Sequence, residues 1–565
     1  MARTLTALAL ALVTTAATVV TGATPAAAAG ATLTVDVSRP FRPVTHAATG
    51  GLYGLAENDR PADSTLLPLK VNSLTQPAPG VGQRPNGQPP GGDSLLIAPQ
   101  ADRVGAGQYI RMPDIYPDFP YRWVSWDDWL AKVDTMVRAR LAATTVTNVL
   151  AWELWNEPDY TWNTSAAGPF NDGWVRTYRA VRALDPLTPI VGPSTATYNR
   201  SWMQSFLTHA RDTGTLPDII CWHELQNADR IAADIADYRN LEASLGISPR
   251  RLSINEYAAP SEVDVPGRIA SYVAKLERGG AESAHRAFWY EYGTMNGLVT
   301  GNSQPTGTWW LYKWYGDMAG NMVTTTTTSS GLDGFAAYDP TRKIVNVVFG
   351  NESGTNTVEL TGIGALGSSV RVTLLSTPAG GRFTAVSAPT VVSTSTREVS
   401  DGRLSVSVPD MDATSAYQLL VEPASGVPAY QQRYEAENAS VFRAQRLTSS
   451  SASAGGYVGR IDNSGTPRTD SYVDFVVNVP TARTYTLTIG YANATGETAT
   501  QGLAYNGGPW TTVSYPPTPS WGQFGATVST TVSLRAGYNV IRLAKGSPYF
   551  SGGTGYAELD YIELT

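Results

Sequence analysis

Between about Gly50 and Gly320 the chain alternates short apolar runs with stretches whose apolar residues recur at helical spacing. The runs are Gly51–Leu55, Leu69–Asn72, Gln108–Arg111, Val149–Leu154, Pro189–Gly192, Asp218–Trp222, Arg251–Asn255 and Ala287–Trp289. Among the stretches between them, Trp126–Val137 and Gly173–Arg182 are amphipathic, the second with its arginines on the outer face. Runs that are apolar throughout belong to strands buried on both faces, and alternation with helices makes those strands parallel. Eight such units in about 270 residues predict a closed (β/α)8 TIM barrel. The segment Val71–Gly92, rich in Pro, Gly and Gln and without helical period, is expected to be a long loop after the second strand.

Outside that region the period changes to two. Phe335–Tyr338, Ile344–Phe349, Thr357–Leu360, Val370–Leu375 and Leu404–Val408 read as strands with turns between them, which predicts a β-sandwich over residues 324–422. Residues 423–429 carry two prolines and read as a linker, and residues 430–565 form a further all-β unit of jelly-roll size. The barrel domain is assigned to residues 30–323, opening with an alternating strand at Thr32–Val37. Residues 1–29 join Arg3 to an Ala/Leu/Val run and end in small residues, the pattern of a secretory signal peptide. No later run reaches the ~18 apolar residues of a membrane span, so the expectation is a secreted, extracellular monomer without a membrane partner.

Charge and composition narrow the chemistry. The chain has 41 Lys and Arg against 48 Asp and Glu, a net charge of −7 with no basic run, which argues against a nucleic-acid surface. The single cysteine, Cys221, excludes a disulfide framework and a multi-thiolate metal site. Aromatic residues make up 10% of the chain, and flat rings with polar edges suit the faces of sugars.

The strongest motif is Trp152-Glu-Leu-Trp-Asn-Glu-Pro-Asp159, where the fourth predicted strand ends. A carboxylate at the C-terminal end of a barrel strand lies on the face where barrel chemistry occurs. About a hundred residues further on, Ser253-Ile-Asn-Glu-Tyr257 places Glu256 at the end of the seventh strand. Ends four and seven lie across the barrel mouth, so Glu157 and Glu256 can face each other. A carboxyl pair about 5–5.5 Å apart suits a retaining glycosidase.

On these motifs the region Gly50–Gly320 resembles the clan A glycoside hydrolases, and Glu153–Asp159 is most similar to family 39. Trp222-His223 and Trp289 fit the same pattern. The resemblance implies that Glu157 is the general acid/base and Glu256 the nucleophile. Burial near Trp155 and the charge of Glu256 are expected to raise the Glu157 pKa towards ~6, keeping it protonated. Glu256 needs donors to stay ionised, which His223 or Tyr257 is expected to supply, and Asn156 is expected to bond the sugar 2-hydroxyl. Trp289 is a candidate floor for the bound sugar, and Glu57 and Asn58, after the first predicted strand, are candidates for binding its hydroxyls.

The last unit resembles carbohydrate-binding modules of families 35 and 6, through Tyr434-Glu-Ala-Glu-Asn438, Ala454–Gly459, Asn506-Gly507, Leu534–Asn539 and Leu559–Ile562. That resemblance implies a structural calcium held by Glu435, Glu437 and Asp560, hard oxygen ligands of the kind calcium takes. Trp521, Tyr549 and Phe550 are candidate sugar stackers. The expected function is a secreted retaining glycoside hydrolase acting on plant-type glycans, with no cofactor for catalysis. Two alternatives are a non-catalytic sugar-binding or adhesion protein, which would lack one of the two glutamates, and a polysaccharide lyase, whose base and uronate-neutralising groups do not cluster in the sequence.

Overall fold

The computed structural model describes residues 30–56, 60–82, 91–424, 430–461, 470–479, 481–535 and 537–565. The expected signal peptide, Glu57 and Asn58, and most of the linker fall outside the described residues.

Eight parallel strands close a barrel: Gly50–Leu52, Ser73–Pro77, Gly107–Arg111, Val149–Glu153, Ile190–Thr195, Ile219–Glu224, Arg251–Tyr257 and Ser283–Arg286. Gly50 pairs with His285 and Gly51 with Leu74, so the first strand sits between the second and the eighth and completes the ring.

Two strands lie elsewhere than expected, for one reason. Leu67–Leu69 is a 3-10 turn that opens on Pro68 and ends at left-handed Lys70, and the second strand follows as Ser73–Pro77, inside the expected loop. The eighth strand is Ser283–Arg286, and Ala287–Trp289 comes after it. Both true strands are polar because they face a polar barrel interior. Ser73 and Thr75 hold the two ring nitrogens of His285 at 2.8 and 2.7 Å. Tyr109 bonds Ser283 at 2.9 Å, and Ser283 bonds Ser253 at 2.9 Å. Burial pushes the His285 pKa down to about 3, so the ring serves this network as neutral imidazole. Hydroxyls satisfied inside the barrel leave no apolar signature in the sequence.

The sandwich begins earlier than residue 324. The chain's first strand, Thr32–Pro43, pairs antiparallel with Asn321–Thr327 and parallel with Gly354–Thr361. Its alternation buries Leu33, Val35 and Val37 in the sandwich core, so residues 32–43 leave the barrel domain to which the sequence assigned them. The barrel and sandwich are packed into each other. Phe335, Ala337, Val348 and Ala416 of the sandwich belong to the barrel's own apolar cluster. The helix Gly307–Gly316 is buried along its whole length, and its Trp310 indole donates to the Val386 carbonyl at 2.6 Å. At Gly267, in helix Pro266–Gly279, the N–H donates to Thr414 at 2.9 Å, and a side chain there would meet the Ala413 carbonyl at 2.2 Å. Only glycine allows that approach.

The C-terminal unit has its own core between two antiparallel sheets. One carries Gln445–Thr448, Gly456–Gly459, Glu558–Leu564, Arg483–Ala492 and Ala526–Leu534, with Gln432–Glu435 added on Glu558–Leu564. The other carries Ser440–Phe442, Ser471–Val479, Gly537–Lys545, Ala499–Tyr505 and Thr511–Tyr515. It touches the barrel through Arg446 and Asp63 at 3.5 Å, Asn478 and Asp317 at 3.5 Å, and Val476. Among the described residues no helix is long and apolar enough to cross a membrane.

Candidate active site

Where the fourth strand ends at Glu153, the chain turns through Leu154, Trp155 and Asn156 into the short helix Pro158–Thr161. Glu157 takes the left-handed conformation, φ 51° and ψ 54°, which is costly for a residue with a side chain. The surroundings hold it there. Its N–H donates to Ser194 of the fifth strand at 2.8 Å, the Thr161 hydroxyl donates to the Asn156 carbonyl at 2.6 Å, and the Trp155 indole donates to Thr161 at 2.9 Å. Trp155 packs edge-on against Tyr121, Trp129 and Trp162. The strain thus aims one carboxyl across the barrel mouth.

The side chain it meets is His223 of the sixth strand, whose Nδ1 lies 3.0 Å from Glu157 Oε1. His223 Nε2 lies 3.8 Å from Glu256 Oε1 at the end of the seventh strand. One oxygen from each glutamate and a His223 nitrogen all lie within 4.8 Å of one another. Both glutamates are 8% exposed, while His223 is fully buried.

Glu256 takes its strongest donor from the third strand. Arg111 Nη1 donates to Glu256 Oε1 at 2.6 Å, while Nε and Nη2 grip Glu153 at 2.9 and 3.2 Å. Asn255 Nδ2 donates to Glu153 Oε1 at 2.8 Å. The fixed guanidinium fork spans two carboxylates, a geometry that lysine does not offer. Neither Arg111 nor Glu153 was singled out from the sequence. Their signal was a cation closing an otherwise buried strand and an acid inside a buried one, each needing a partner.

The expected electrostatics of Glu157 are reversed. Burial acts to raise its carboxyl, but the hydrogen bond and the positive charge of His223 outweigh burial and hold it below the ordinary carboxylate value. For His223, burial acts downward, and the charges of Glu256 and Glu157 more than offset it, so its pKa is raised. The shared proton therefore rests towards His223. The three groups also have the spacing of a metal-ligand set, but a cation would have to displace Arg111 from Glu256 and His223 from Glu157.

The other expected site residues divide. Asn156 is buried at the mouth, and its Oδ1 has no protein partner. Trp289 is half-buried after the eighth strand, and its indole donates to the Ala258 carbonyl at 3.0 Å. Tyr257 does not serve Glu256. Its hydroxyl donates to the Ala48 carbonyl at 2.7 Å and bonds Tyr312, because alternate strand residues face opposite ways. The Cys221 thiol bonds Asn255, and burial pushes it up, so it is not a nucleophile.

In the C-terminal unit, burial and mutual repulsion with its two acidic neighbours hold Glu437 above its ordinary range, and burial first also raises Glu435 and Asp560. Glu435 Oε2 and Glu437 Oε2 are buried without a protein partner, but among the described residues Glu435, Glu437 and Asp560 do not converge into a group spaced to hold a metal ion. The expected sugar stackers do not form one platform. Tyr549 packs on Tyr472 and Phe442, and Phe550 lies over Gly502 beside Trp510, on the five-stranded sheet. Trp521 is exposed, beside Gly522, which is tied to Glu558 and Ser449 of the other sheet.

Fold and site define a class: (β/α)8-barrel proteins that oppose two carboxylates at the C-terminal ends of strands four and seven. Comparison with known proteins agrees. No family model matches the chain. Over 470 residues it is 26% identical to a 3-O-beta-L-arabinopyranosyl-alpha-L-arabinofuranosidase of Bifidobacterium pseudocatenulatum, covering 69% of this chain and 47% of that one. Over 471 residues it is 25% identical to a 3-O-alpha-D-galactosyl-alpha-L-arabinofuranosidase of Bifidobacterium longum subsp. longum, covering 69% and 40%. The chain thus spans about half the length, or less, of these curated relatives. The solved structure of N2152 from Neocallimastix frontalis superposes with a TM-score of 0.66 at 32% identity, covering 70% of this chain and 100% of that one. The chain belongs to the same family as N2152.

Replacing Arg111 by Met leaves Glu153 buried beside a neutral side chain. The expected loss is about 3–5 kcal/mol in denaturant unfolding, of which the double variant Arg111→Met, Glu153→Gln recovers more than half. A loss under about 1 kcal/mol in the single variant would contradict the ionic clamp.

Proposed function

We propose that the protein is a secreted retaining glycoside hydrolase that removes arabinofuranosyl units from plant-type glycans, with Glu157 as acid/base and Glu256 as nucleophile. The observation that carries this reading is the pair of carboxyls opposed within 4.8 Å at strand ends four and seven, too close to leave room for the water an inverting pair holds between them. Both curated relatives are named as α-L-arabinofuranosidases of 3-O-substituted units, which supports a substrate of that kind. The family 39 resemblance read from Glu153–Asp159 supports the same roles. A lone sugar-binding role is not favoured, because it gives no reason for a strained Glu157 beside a histidine.

Glu256 attacks the anomeric carbon from one side while Glu157 delivers a proton to the departing oxygen. Arg111 fixes the attacking carboxylate, and its other partner, Glu153, keeps the guanidinium in place. The proton is the one shared with His223. Glu256 is the charge that most favours protonated His223, and that charge disappears as the covalent bond forms. Attack therefore weakens the hold of His223 on the proton and drives it through the Nδ1 to Oε1 contact towards the leaving group. Glu157, then a carboxylate, draws a proton from water, which attacks the sugar ester and restores the original anomeric configuration.

Export directed by residues 1–29, sugar binding by the C-terminal unit, and a structural calcium on Glu435, Glu437 and Asp560 belong to the same proposal. The calcium would tie the first and last strands of that unit together and takes no part in the reaction.

An aryl α-L-arabinofuranoside tests the roles. Glu256→Ala and Glu157→Ala should each lower turnover roughly 10³-fold or more. Azide should restore turnover only in Glu157→Ala, giving an azide product of the substrate's configuration. Wild-type turnover in Glu256→Ala would overturn the proposal.

The coupled proton predicts a pH signature. In the wild type the alkaline limb of kcat/KM reports loss of the proton from a pair whose histidine is raised above 6.5. In His223→Gln the proton rests on Glu157 alone, whose ordinary value is 4.5 and on which burial, acting upward, is opposed by the charge of Arg111. The alkaline limb should therefore move to lower pH, and an unmoved limb would contradict the shared proton.

A further inference from the structure

The loops after the third and fourth strands carry a line of aromatic rings that starts in the core and ends in solvent. Trp155 and Tyr121 are buried with ring centroids 5.4 Å apart, Tyr121 meets Phe119 edge-on at 5.5 Å, and Phe119 meets Tyr160 at 6.2 Å. Phe119 is 48% exposed and Tyr160 64%, so the last two rings turn an apolar surface to water. Trp155 and Tyr160 flank Asn156 and Glu157 in the chain, and Tyr121 and Phe119 bridge them from the neighbouring loop. The line therefore runs beside the Glu157 turn.

The exposed end of the line is pinned. Pro158 opens the helix Pro158–Thr161, and the Asp159 carboxylate accepts the Ala196 N–H at 2.9 Å. The N–H groups of Tyr160 and Thr161 donate to the Glu157 carbonyl at 2.9 and 2.7 Å, and the Glu157 N–H is tied to Ser194. One turn thus sets the place of both the Glu157 carboxyl and Tyr160. A ring held in this way has little freedom left to lose when a ligand stacks on it.

The reaction decides what lies on that side of the mouth. Glu256 attacks from the seventh strand, so the departing oxygen leaves on the opposite side, where Glu157 protonates it. In a glycan that oxygen belongs to the next sugar, which then lies against the loops after strands three and four. We infer that Phe119 and Tyr160 form the binding platform for this leaving sugar, a pyranose, an inference that rests on the glycosidase reading. A pyranose carries C–H bonds on a flat face and hydroxyls at its edge, which matches rings whose faces are apolar. Two half-exposed rings offer about 200–300 Å², enough for one sugar and well short of the ~1,200 Å² of a stable protein interface.

The covalent intermediate of the proposed reaction hands its sugar to water or to an alcohol. The alcohol oxygen bonds the anomeric carbon, its proton goes to the Glu157 carboxylate, and the bond to Glu256 breaks with its electron pair returning to that carboxylate. An acceptor sugar uses the platform in reverse, whereas methanol needs none. The test gives the full-length protein an arabinofuranoside with a dinitrophenyl leaving group, together with methanol and either methyl β-D-xylopyranoside or methyl β-D-galactopyranoside. Mass spectrometry then reads the ratio of arabinosylated pyranoside to methyl arabinofuranoside. Both products arise from one intermediate, so the amount of folded protein and the rate of forming that intermediate cancel. Phe119→Ala and Tyr160→Ala should each lower the ratio roughly 3- to 10-fold. Tyr160→Phe should keep it within about 2-fold, because the ring face rather than the hydroxyl does the binding. An unchanged ratio in both alanine variants would overturn the platform, as would a loss in Tyr160→Phe equal to that in Tyr160→Ala. If Phe119→Ala fails to fold, Tyr160→Ala, at the more exposed position, decides the matter. A wild type that releases dinitrophenol but transfers to neither pyranoside contradicts the platform alone. One that releases no dinitrophenol contradicts the glycosidase reading itself, and the platform falls with it.

Discussion

The site depends on one buried cation. Arg111 holds Glu256 with one arm and Glu153 with the others, and Asn255 supports Glu153 from the far side. Three barrel strands, the third, fourth and seventh, are thereby tied together at their C-terminal ends by charge rather than by apolar packing. Burying such an arrangement is expensive unless every charge is matched. Here the match extends to His223, which carries the positive character that Glu157 and Glu256 together demand. Losing any one member leaves an unbalanced charge in a place that water barely reaches.

The rigid frame around the mouth has a similar logic. Glu157 keeps a left-handed backbone because Ser194, Thr161 and a wall of aromatic rings leave it no other place. The sandwich stiffens the opposite flank, since its strands complete the apolar cluster around the helix Gly307–Gly316. The barrel and sandwich share one apolar cluster, with residues 32–43 threaded through the sandwich before the barrel begins. The C-terminal unit is different in kind, with its own core and few contacts to its neighbour, two polar pairs and Val476.

Apolar periodicity revealed six of the eight barrel strands, and the two it misplaced were polar for a physical reason. Ser73, Thr75 and His285 satisfy one another inside the barrel, so their strands carry no hydrophobic signal. The acidic pair was readable because each glutamate closes an apolar run at the barrel's C-terminal end. Arg111 and Glu153 were hidden because their meaning lies in a contact between strands, which spacing along one strand does not encode. Tyr257 was misjudged for the opposite reason: it adjoins Glu256 in sequence, and adjacency in a strand places it on the other face. The direction of the Glu157 shift likewise required the distance to His223, since burial alone argues the other way.

The most direct test of the central claim is the identity of the residue that becomes covalently linked to sugar. A 2-deoxy-2-fluoro arabinofuranoside with a dinitrophenyl leaving group forms the glycosyl ester quickly and hydrolyses it slowly. Intact-protein and peptide mass spectrometry should show one added fluorosugar, on the peptide that contains Glu256, and none in Glu256→Gln. Release of dinitrophenol with no adduct, or an adduct on a peptide lacking Glu256, would contradict the assignment of Glu256 as the nucleophile.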